Sequence, residues 1–157
     1  MADNFRTRFE WLITPVFRFY WRLQRPMTLG AVGLVTDEAG RVLLIRHTYR
    51  RGWFLPGGGV EHGENAREAA ARECAEEGGA EATAPPKLIG FYLNQKFKND
   101  HVALYRIEQW KPCPPRENGE IAERGFFAID ALPEGTAGSA RRRIAELFQG
   151  GPVLDIW

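Results

Sequence analysis

The chain has 157 residues, of which 44% are hydrophobic, and a formal net charge of +1. This length allows one buried core and is too short for two ordinary domains. The near-neutral charge excludes a protein that coats nucleic acid through a strongly basic surface, so we expect no specific nucleic-acid partner.

The cysteine usage and the apolar runs indicate a cytoplasmic protein. Cys74 and Cys113 lie in unrelated contexts, which argues against a disulfide framework. No signal-peptide pattern opens the chain, and no apolar run is long enough to span a bilayer.

Residues 1–26 are predicted to form an aromatic and basic helical extension. Apolar side chains recur there at three- and four-residue steps, which is typical of one helix face, and Pro15 breaks or kinks the segment. The segment carries five arginines against one aspartate and one glutamate. It suits peripheral contact with an anionic membrane, a partner subunit such as the second copy in a homodimer, or folding back on the chain's own sheet.

Strand signals begin after this extension. Two apolar runs, residues 29–36 and 42–45, are joined by a polar turn and predict a β-hairpin. Residues 53–55 are a third short strand candidate, followed directly by Pro56 and three glycines.

Residues 65–77 give the strongest helix signal in the chain. Asn65 is placed as the N-cap with Glu68 three residues later, and Gly78 and Gly79 stop the helix. Small residues recur every four positions and predict a packing face: Ala66, Ala70 and Cys74.

The second half of the chain predicts further strands and one more helix. Residues 88–93, 101–110 and 126–129 are predicted strands, and the proline-rich residues 111–118 a loop. Residues 139–148 predict a helix in which Ile144, Leu147 and Phe148 face inward while the three arginines 141–143 stay largely in solvent.

The interleaving of hairpins and helices predicts an α/β fold, an α/β/α sandwich around a mixed sheet. We place this domain at residues 27–150, with a C-terminal tail at residues 151–157.

Three carboxylates on the predicted helix at residues 65–77 are the strongest candidates for functional side chains. Glu73, Glu76 and Glu77 project from one face, within an arc of roughly 100°. Such crowded like charges repel each other unless a cation lies among them, and oxygen ligands suit Mg²⁺ or Mn²⁺ better than zinc. An ordinary solvated helix face is the alternative. The glycines at residues 57–59 favour the metal, because they let backbone approach a ligand closely.

Residues 58–80 resemble the signature box of the Nudix hydrolase family. The departures from the family pattern are Cys74 and Ala80, where the family prefers a larger aliphatic residue. Residues 41–45 followed by 53–58 resemble the family's usual lead-in, and residues 120–133 its usual closing strand and loop. All seven fixed positions of the box match: Gly58, Glu64, Arg72, Glu73, Glu76, Glu77 and Gly79.

This resemblance implies a mixed-sheet α/β/α fold and metal-dependent hydrolysis of a small nucleotide-type substrate, a nucleoside diphosphate linked to another moiety. Metal is placed on Glu73, Glu76 and Glu77, with a nearby backbone carbonyl assisting. Arg72 is expected to orient Glu64 through an ion pair, and Gly58 and Gly79 support the site.

The residue that acts as general base is left open: it lies either in the box or in a later loop. Glu73 or Glu76 is one source, and Glu120 or Glu123 the other; we favour Glu120 as an added metal ligand or base, with a plain surface role as its alternative.

Other residues have both a functional and an ordinary interpretation. Arg46, Arg50 and Arg51 precede the glycines and either bind phosphates or are surface residues. Trp53 and Phe91 either stack on a base or, as we favour, belong to the core. The three histidines lack metal-ligand spacing and are expected in solvent or in loops: His47, His62 and His101.

A binding module that senses a nucleotide without cutting it is the alternative to an enzyme. Loss of box carboxylates would favour sensing, and every one is present. The substrate is left open among ADP-ribose, nucleotide sugars, dinucleotides, oxidised nucleoside triphosphates and capped RNA.

Overall fold

The computed structural model describes Tyr20 and residues 27–97, 99–117 and 119–157. Apart from Tyr20, the predicted N-terminal extension with Pro15 lies outside the described residues. The secondary-structure elements are, in chain order, β1 (Thr28–Val35), β2 (Val42–His47), β3 (Gly57–Gly59), α1 (Ala66–Glu76), β4 (Ala80–Ala82), β5 (Lys87–Asn94), β6 (Asp100–Ile107), β7 (Trp110–Pro112), β8 (Ile121–Phe127) and α2 (Gly138–Phe148).

The main sheet has four strands in the order β3-β1-β6-β5. β1 runs parallel to β6, with Val32 opposite Leu104, whereas β3 and β5 pair antiparallel to their neighbours. Strands β2 and β8 form a separate antiparallel pair, as do β4 and β7. The sheet is therefore mixed, as predicted.

Helices α1 and α2 pack on opposite faces of this sheet. Alternate residues of β1 point to opposite faces because a strand has a two-residue period. Ala31 packs with Ala69 and Ala70 of α1, whereas Leu34 packs with Ile144 of α2. The predicted α/β/α sandwich is confirmed.

The predicted hairpin between residues 29–36 and 42–45 is wrong. β2 pairs with β8, and only the single bridge from Thr36 to Val42 joins it to the end of β1. The hydrogen-bonding edges of β1 are already taken by β3 and β6. The predicted polar turn is present, and in it the Arg41 backbone N–H donates to Asp37 Oδ1 at 2.8 Å.

The predicted strand at residues 53–55 is also misplaced. Trp53 and Phe54 form only isolated bridges, and the strand is the glycine run itself. A Cβ at Gly57 would lie 2.6 Å from the Ala31 carbonyl oxygen, so only glycine allows this approach to β1. Glycine ordinarily weakens a strand, so the sequence pattern did not predict a strand at residues 57–59.

Three later boundaries differ from the prediction. The predicted strand 101–110 is divided into two strands, β6 and β7. Strand β7 includes the first residues of the predicted loop 111–118, because it pairs with β4. The strand predicted at residues 126–129 spans Ile121–Phe127 instead. It therefore begins immediately after Glu120.

Helix α2 forms where it was predicted, but one of its arginines is not in solvent. Arg143 is fully buried, with Nη1 3.0 Å from Glu146 Oε2 and donating to the Leu154 carbonyl at 3.1 Å. Its guanidinium lies 4.1 Å from the centre of the Tyr92 ring. Arginine side chains are rarely buried, but here these neighbouring groups compensate the charge of Arg143 and so allow its burial.

The C-terminal tail extends the free edge of β5. The Leu93 N–H donates to the Asp155 carbonyl at 2.8 Å, and the Trp157 N–H donates back to Leu93 at 2.9 Å. Cys74 and Cys113 are both free. Among the described residues, no helix combines the length and apolar character of a membrane span.

Candidate active site

Helix α1 positions the predicted carboxylates. The Asn65 side chain accepts hydrogen bonds from the N–H groups of Arg67 and Glu68, and Glu68 accepts one from the Asn65 N–H, so the predicted capping box forms. The opposite face is buried through small side chains. Because one face packs, the glutamates project from the other: Glu73, Glu76 and Glu77.

These three glutamates border a single cavity of about 340 Å³, which we call the acidic cavity. Glu120, the favoured loop residue, borders it as well because it directly precedes β8. Glu123 does not; it pairs with Arg46 at 2.7 Å. The acidic cavity is bordered by Glu61, Arg72, Glu73, Glu76, Glu77, Arg116, Glu120 and Ile121.

Glu77 is the most strongly perturbed of these carboxylates. Its side chain is 13% exposed, and its Oε2 accepts a hydrogen bond from the Gly57 N–H at 2.9 Å. Burial raises the pKa of Glu77 to about 7, and the nearby charges of Glu73 and Glu120 add to the rise, against the opposing Gly57 hydrogen bond. Burial also raises the pKa of Glu73, although Arg72 opposes it. The cavity therefore concentrates negative charge where water solvates it poorly.

The predicted ion pair between Arg72 and Glu64 is present. Arg72 Nε and Nη2 donate to the two Glu64 carboxylate oxygens at 2.9 and 3.0 Å, a bidentate arrangement. Arg72 Nη1 also donates to Glu73 Oε1 at 2.7 Å. These hydrogen bonds lower the pKa of Glu64 and tie the loop before α1 to the helix.

The two box glycines each have a steric reason. A Cβ at Gly58 would lie 2.8 Å from Cδ of Glu73, so any side chain there would displace that carboxylate. Gly79 has a φ of 70°, a left-handed conformation that ends the turn after α1. Glycine at position 58 thus leaves room for the Glu73 carboxylate, and at position 79 it avoids backbone strain.

The donor set of the cavity suits a hard divalent cation by its chemistry. All the candidate ligands are carboxylate oxygens, and the buried negative charge is the kind that Mg²⁺ or Mn²⁺ relieves. Across the described part of the chain, however, no three His, Cys, Asp or Glu groups are arranged to hold a metal ion. Guanidinium groups lie between the carboxylates instead: Arg72 Nη1 is 3.7 Å and Arg116 Nη1 is 3.4 Å from Glu76 Oε2.

Arg116 was not predicted as a site residue. Its backbone N–H donates to the Glu76 carbonyl at 2.8 Å, and the Cys113 N–H donates to Gly79 at 3.0 Å. These contacts bring the proline-rich segment to the end of α1. The relevant signal is the pairing of β7 with β4, which local sequence does not show.

The three predicted phosphate-binding arginines do not border the acidic cavity. Arg46 pairs with Glu123, and the Arg50 guanidinium lies 3.8 Å from the centre of the Phe54 ring. Arg51 is exposed. Their role in binding phosphate stays a prediction.

The aromatic candidates divide. Trp53 is half-buried and packs edge-to-face on Phe127 at 4.8 Å, as expected of a core residue. Phe91 is 49% exposed and stacks on His101 at 5.1 Å, so its predicted core role is wrong. It lies on β5, the last strand of the sheet.

Only one histidine fits the predicted solvent or loop position. His62 is exposed in a turn, whereas His101 lies in β6 and is half-buried. His47 is buried at the end of β2, with Nδ1 4.0 Å from Glu77 Oε1. The prediction failed for His47 because the ring is enclosed by Tyr49 and Phe54, residues that follow it in the chain.

Comparison with known proteins places the chain in a family. The NUDIX domain profile matches residues 26–148. A Bacillus subtilis (strain 168) protein named "Putative 8-oxo-dGTP diphosphatase" is 42% identical over 130 residues, covering 82% of this chain and 85% of that protein. A Mycobacterium tuberculosis (strain CDC 1551 / Oshkosh) protein named "Putative mutator protein MutT4" is 32% identical over 141 residues, which cover 80% of this chain and 56% of that protein.

Solved structures agree with these matches. The crystal structure of a MutT NUDIX hydrolase from Burkholderia pseudomallei superposes with a TM-score of 0.65 at 23% identity, covering 76% of this chain and 97% of that one. At that identity the likeness concerns the fold, and it is the α/β/α sandwich described above. The chain therefore belongs to the Nudix family and is a hydrolase of the Nudix type.

Proposed function

We propose that the chain hydrolyses a phosphoanhydride bond in a nucleoside diphosphate linked to another moiety, with Mg²⁺ as its cofactor and Mn²⁺ as a substitute. One observation carries the proposal: five glutamates from two distant parts of the sequence border the same cavity, namely Glu61, Glu73, Glu76, Glu77 and Glu120.

Glu73, Glu76 and Glu77 would hold the cation, with a backbone carbonyl near Gly57 or Gly58 assisting. A bound divalent cation would neutralise the charge of the pyrophosphate oxygens and lower the pKa of the attacking water. Arg72 and Glu64 hold the loop and Glu73 in place through the hydrogen bonds described above.

Glu120 is the favoured general base or additional ligand, ahead of Glu73 and Glu76. Glu120 directly precedes β8, so it borders the acidic cavity from a different element than the two helix glutamates.

The proposed substrate is a small nucleotide, and the first compound to test is the one in the name of the 42% identical relative, 8-oxo-dGTP. Arg46, Arg50 and Arg51 are proposed to bind its phosphates. Arg116 joins them, because it already borders the acidic cavity and is largely exposed.

The experiment that tests the function is a product-release screen over 8-oxo-dGTP, ADP-ribose, a nucleotide sugar, a dinucleotide and capped RNA, each with Mg²⁺ and with a chelator. Turnover should require the cation and should be lost in Glu76→Gln. The matched control is Glu81→Gln, which removes a carboxylate on β4 that pairs with Lys111 away from the cavity. Turnover in the chelator equal to that in Mg²⁺ would contradict the proposal.

The alternative, a sensing module, predicts tight nucleotide binding with no product from any compound of the screen. The retained box carboxylates favour the enzyme.

Residues 27–150 are proposed as the hydrolase domain, which the match over residues 26–148 supports. For residues 1–26 we keep membrane contact and a homodimer as proposals. Liposome flotation and sedimentation of the full chain and of a chain starting at Thr28 test them, since equal behaviour of the two chains would remove both roles.

A further inference from the structure

His47 is a buried histidine that the proposed reaction does not use. It is the last residue of β2, and its side chain is 8% exposed. The pairing of β2 with β8 shifts register at this point, since Arg46 lies opposite Glu123 but His47 opposite Ile121. This irregularity sets His47 beside Ile121, which itself borders the acidic cavity.

The imidazole ring is held in one orientation by its neighbours. Tyr49 packs on it with ring centres 5.0 Å apart, and Phe54 with ring centres 5.6 Å apart. Arg50 covers the Phe54 ring at 3.8 Å. The plane of the imidazole ring is therefore set by packing.

Nδ1 of His47 is buried, and none of the residues that the structure describes forms a hydrogen bond with it. Leaving a buried polar atom unpaired costs roughly 1–3 kcal/mol, so it needs an explanation. Glu77 Oε1 lies 4.0 Å away, which is about 1 Å beyond a hydrogen bond.

Glu77 presents its two oxygens to different groups. Oε2 accepts from the Gly57 N–H at 2.9 Å, which leaves Oε1 on the side of His47. An unprotonated Nδ1 would set a lone pair against a carboxylate oxygen, whereas a protonated Nδ1 is a donor aimed at an acceptor. The hydrogen bond forms when the distance between Nδ1 and Oε1 shortens by about 1 Å.

We propose that His47 is a positioning residue for Glu77. Its Nδ1–H donates to Oε1 while the Gly57 N–H holds Oε2, and the remaining lone pairs of the carboxylate are directed into the acidic cavity. The inference rests on the proposed function in one respect, that Glu77 is a ligand of the divalent cation. Groups that hydrogen-bond metal ligands in this way orient them and strengthen metal binding.

Three substitutions separate the donor from the packing. His47→Asn keeps an amide nitrogen at the branch position of Nδ1, His47→Gln moves it to the position of Nε2, and His47→Leu removes it. Mn²⁺ affinity, measured by calorimetry, should stay within about threefold of wild type in His47→Asn and fall roughly 10- to 100-fold in His47→Gln and His47→Leu. Equal affinity in all four proteins would overturn the proposal.

A second readout needs neither metal nor turnover. Nitrogen-15 NMR of the metal-free protein at pH 8 should show His47 as the Nδ1–H tautomer, and its Nδ1 shift should move in Glu77→Gln. The Nε2–H tautomer would overturn the proposal even if the leucine variant does not fold. Wild-type protein that binds no Mn²⁺ would sink the proposed function instead, while the tautomer still decides whether the His47–Glu77 hydrogen bond exists.

Discussion

The two helices carry buried charge in opposite ways. Each has 11 residues and packs on one face of the same sheet. On α2, Arg143 and Glu146 form a pair whose charges cancel, and both side chains are almost completely buried. On α1, Glu73 and Glu77 are nearly as buried, with Arg72 as the guanidinium beside Glu73. The difference fits the proposed function, in which α1 holds negative charge for a cation while α2 holds its charges for structure.

The helices also differ in what stabilises them. The buried face of α1 consists of alanines and one cysteine, which yield little hydrophobic free energy, and its start is fixed by a full capping box. The buried face of α2 includes Ile144, and its first turn has no side-chain cap. Helix α1 therefore depends more on local hydrogen bonds, and α2 more on packing.

The largest expected effect comes from neutralising the charge of α1. Glu77→Gln should lower metal-dependent turnover by roughly 10³-fold, because a lost cation ligand removes several kcal/mol of transition-state stabilisation. The glutamine oxygen can still accept the Gly57 N–H, so circular dichroism should show an unchanged fold. Wild-type rates in this variant would remove Glu77 from the mechanism.

On α2, breaking the balanced pair should affect stability instead of chemistry. Arg143→Leu leaves Glu146 buried without its cation and removes the hydrogen bond to Leu154, so urea denaturation should show a loss of about 3–5 kcal/mol. Adding Glu146→Leu should restore most of that loss, because two apolar side chains no longer bury an unpaired charge. A double variant as unstable as the single one would show that the pair is not self-compensating.

The pH dependence of stability should report the burial of Glu77 on α1. The pKa of Glu77 is raised from 4.5 to about 7 in the folded protein, so its contribution is fully present below pH 4.5 and is lost as pH rises through 7. The loss is on the order of 3 kcal/mol. In a chelating buffer, the stability of Glu77→Gln relative to wild type should increase between pH 4.5 and 7 and then level off. A constant difference across this range would mean that Glu77 is not desolvated as the structure indicates.

The sequence predicted the parts of the site that are local. The box, the capping box and the Arg72–Glu64 pair all lie within a short stretch around α1, where helix periodicity sets the geometry. Glu120 was favoured from the family resemblance alone. Its place beside α1 depends on where β8 starts, and the predicted strand began five residues too late.

What could not be predicted depends on strand pairing between distant segments. Arg116 reaches the cavity through the pairing of β7 with β4, and His47 lies beside Ile121 through the shifted register of β2 and β8. The hairpin prediction failed for the same reason, since local turn signals do not reveal that other strands compete for β1. Arg143 was placed in solvent because its side-chain type is rarely buried, and its partner Glu146 was not considered with it.

The smallest effects test the dependence of α1 on its cap. Asn65→Ala removes the acceptor of two backbone N–H groups and one half of the capping box, so it should cost about 1 kcal/mol. Ala137→Ser is the matched change on α2, where it adds a side-chain acceptor at an uncapped start and should add up to about 1 kcal/mol. Urea denaturation measures both, and hydrogen exchange locates the change in the first turn of each helix. Because α1 has so little apolar surface to bury, its exchange should quicken along the whole helix in Asn65→Ala, whereas the gain in Ala137→Ser should stay within the first turn of α2. Protection changes of the same extent in both helices would mean that α1 is held by packing after all.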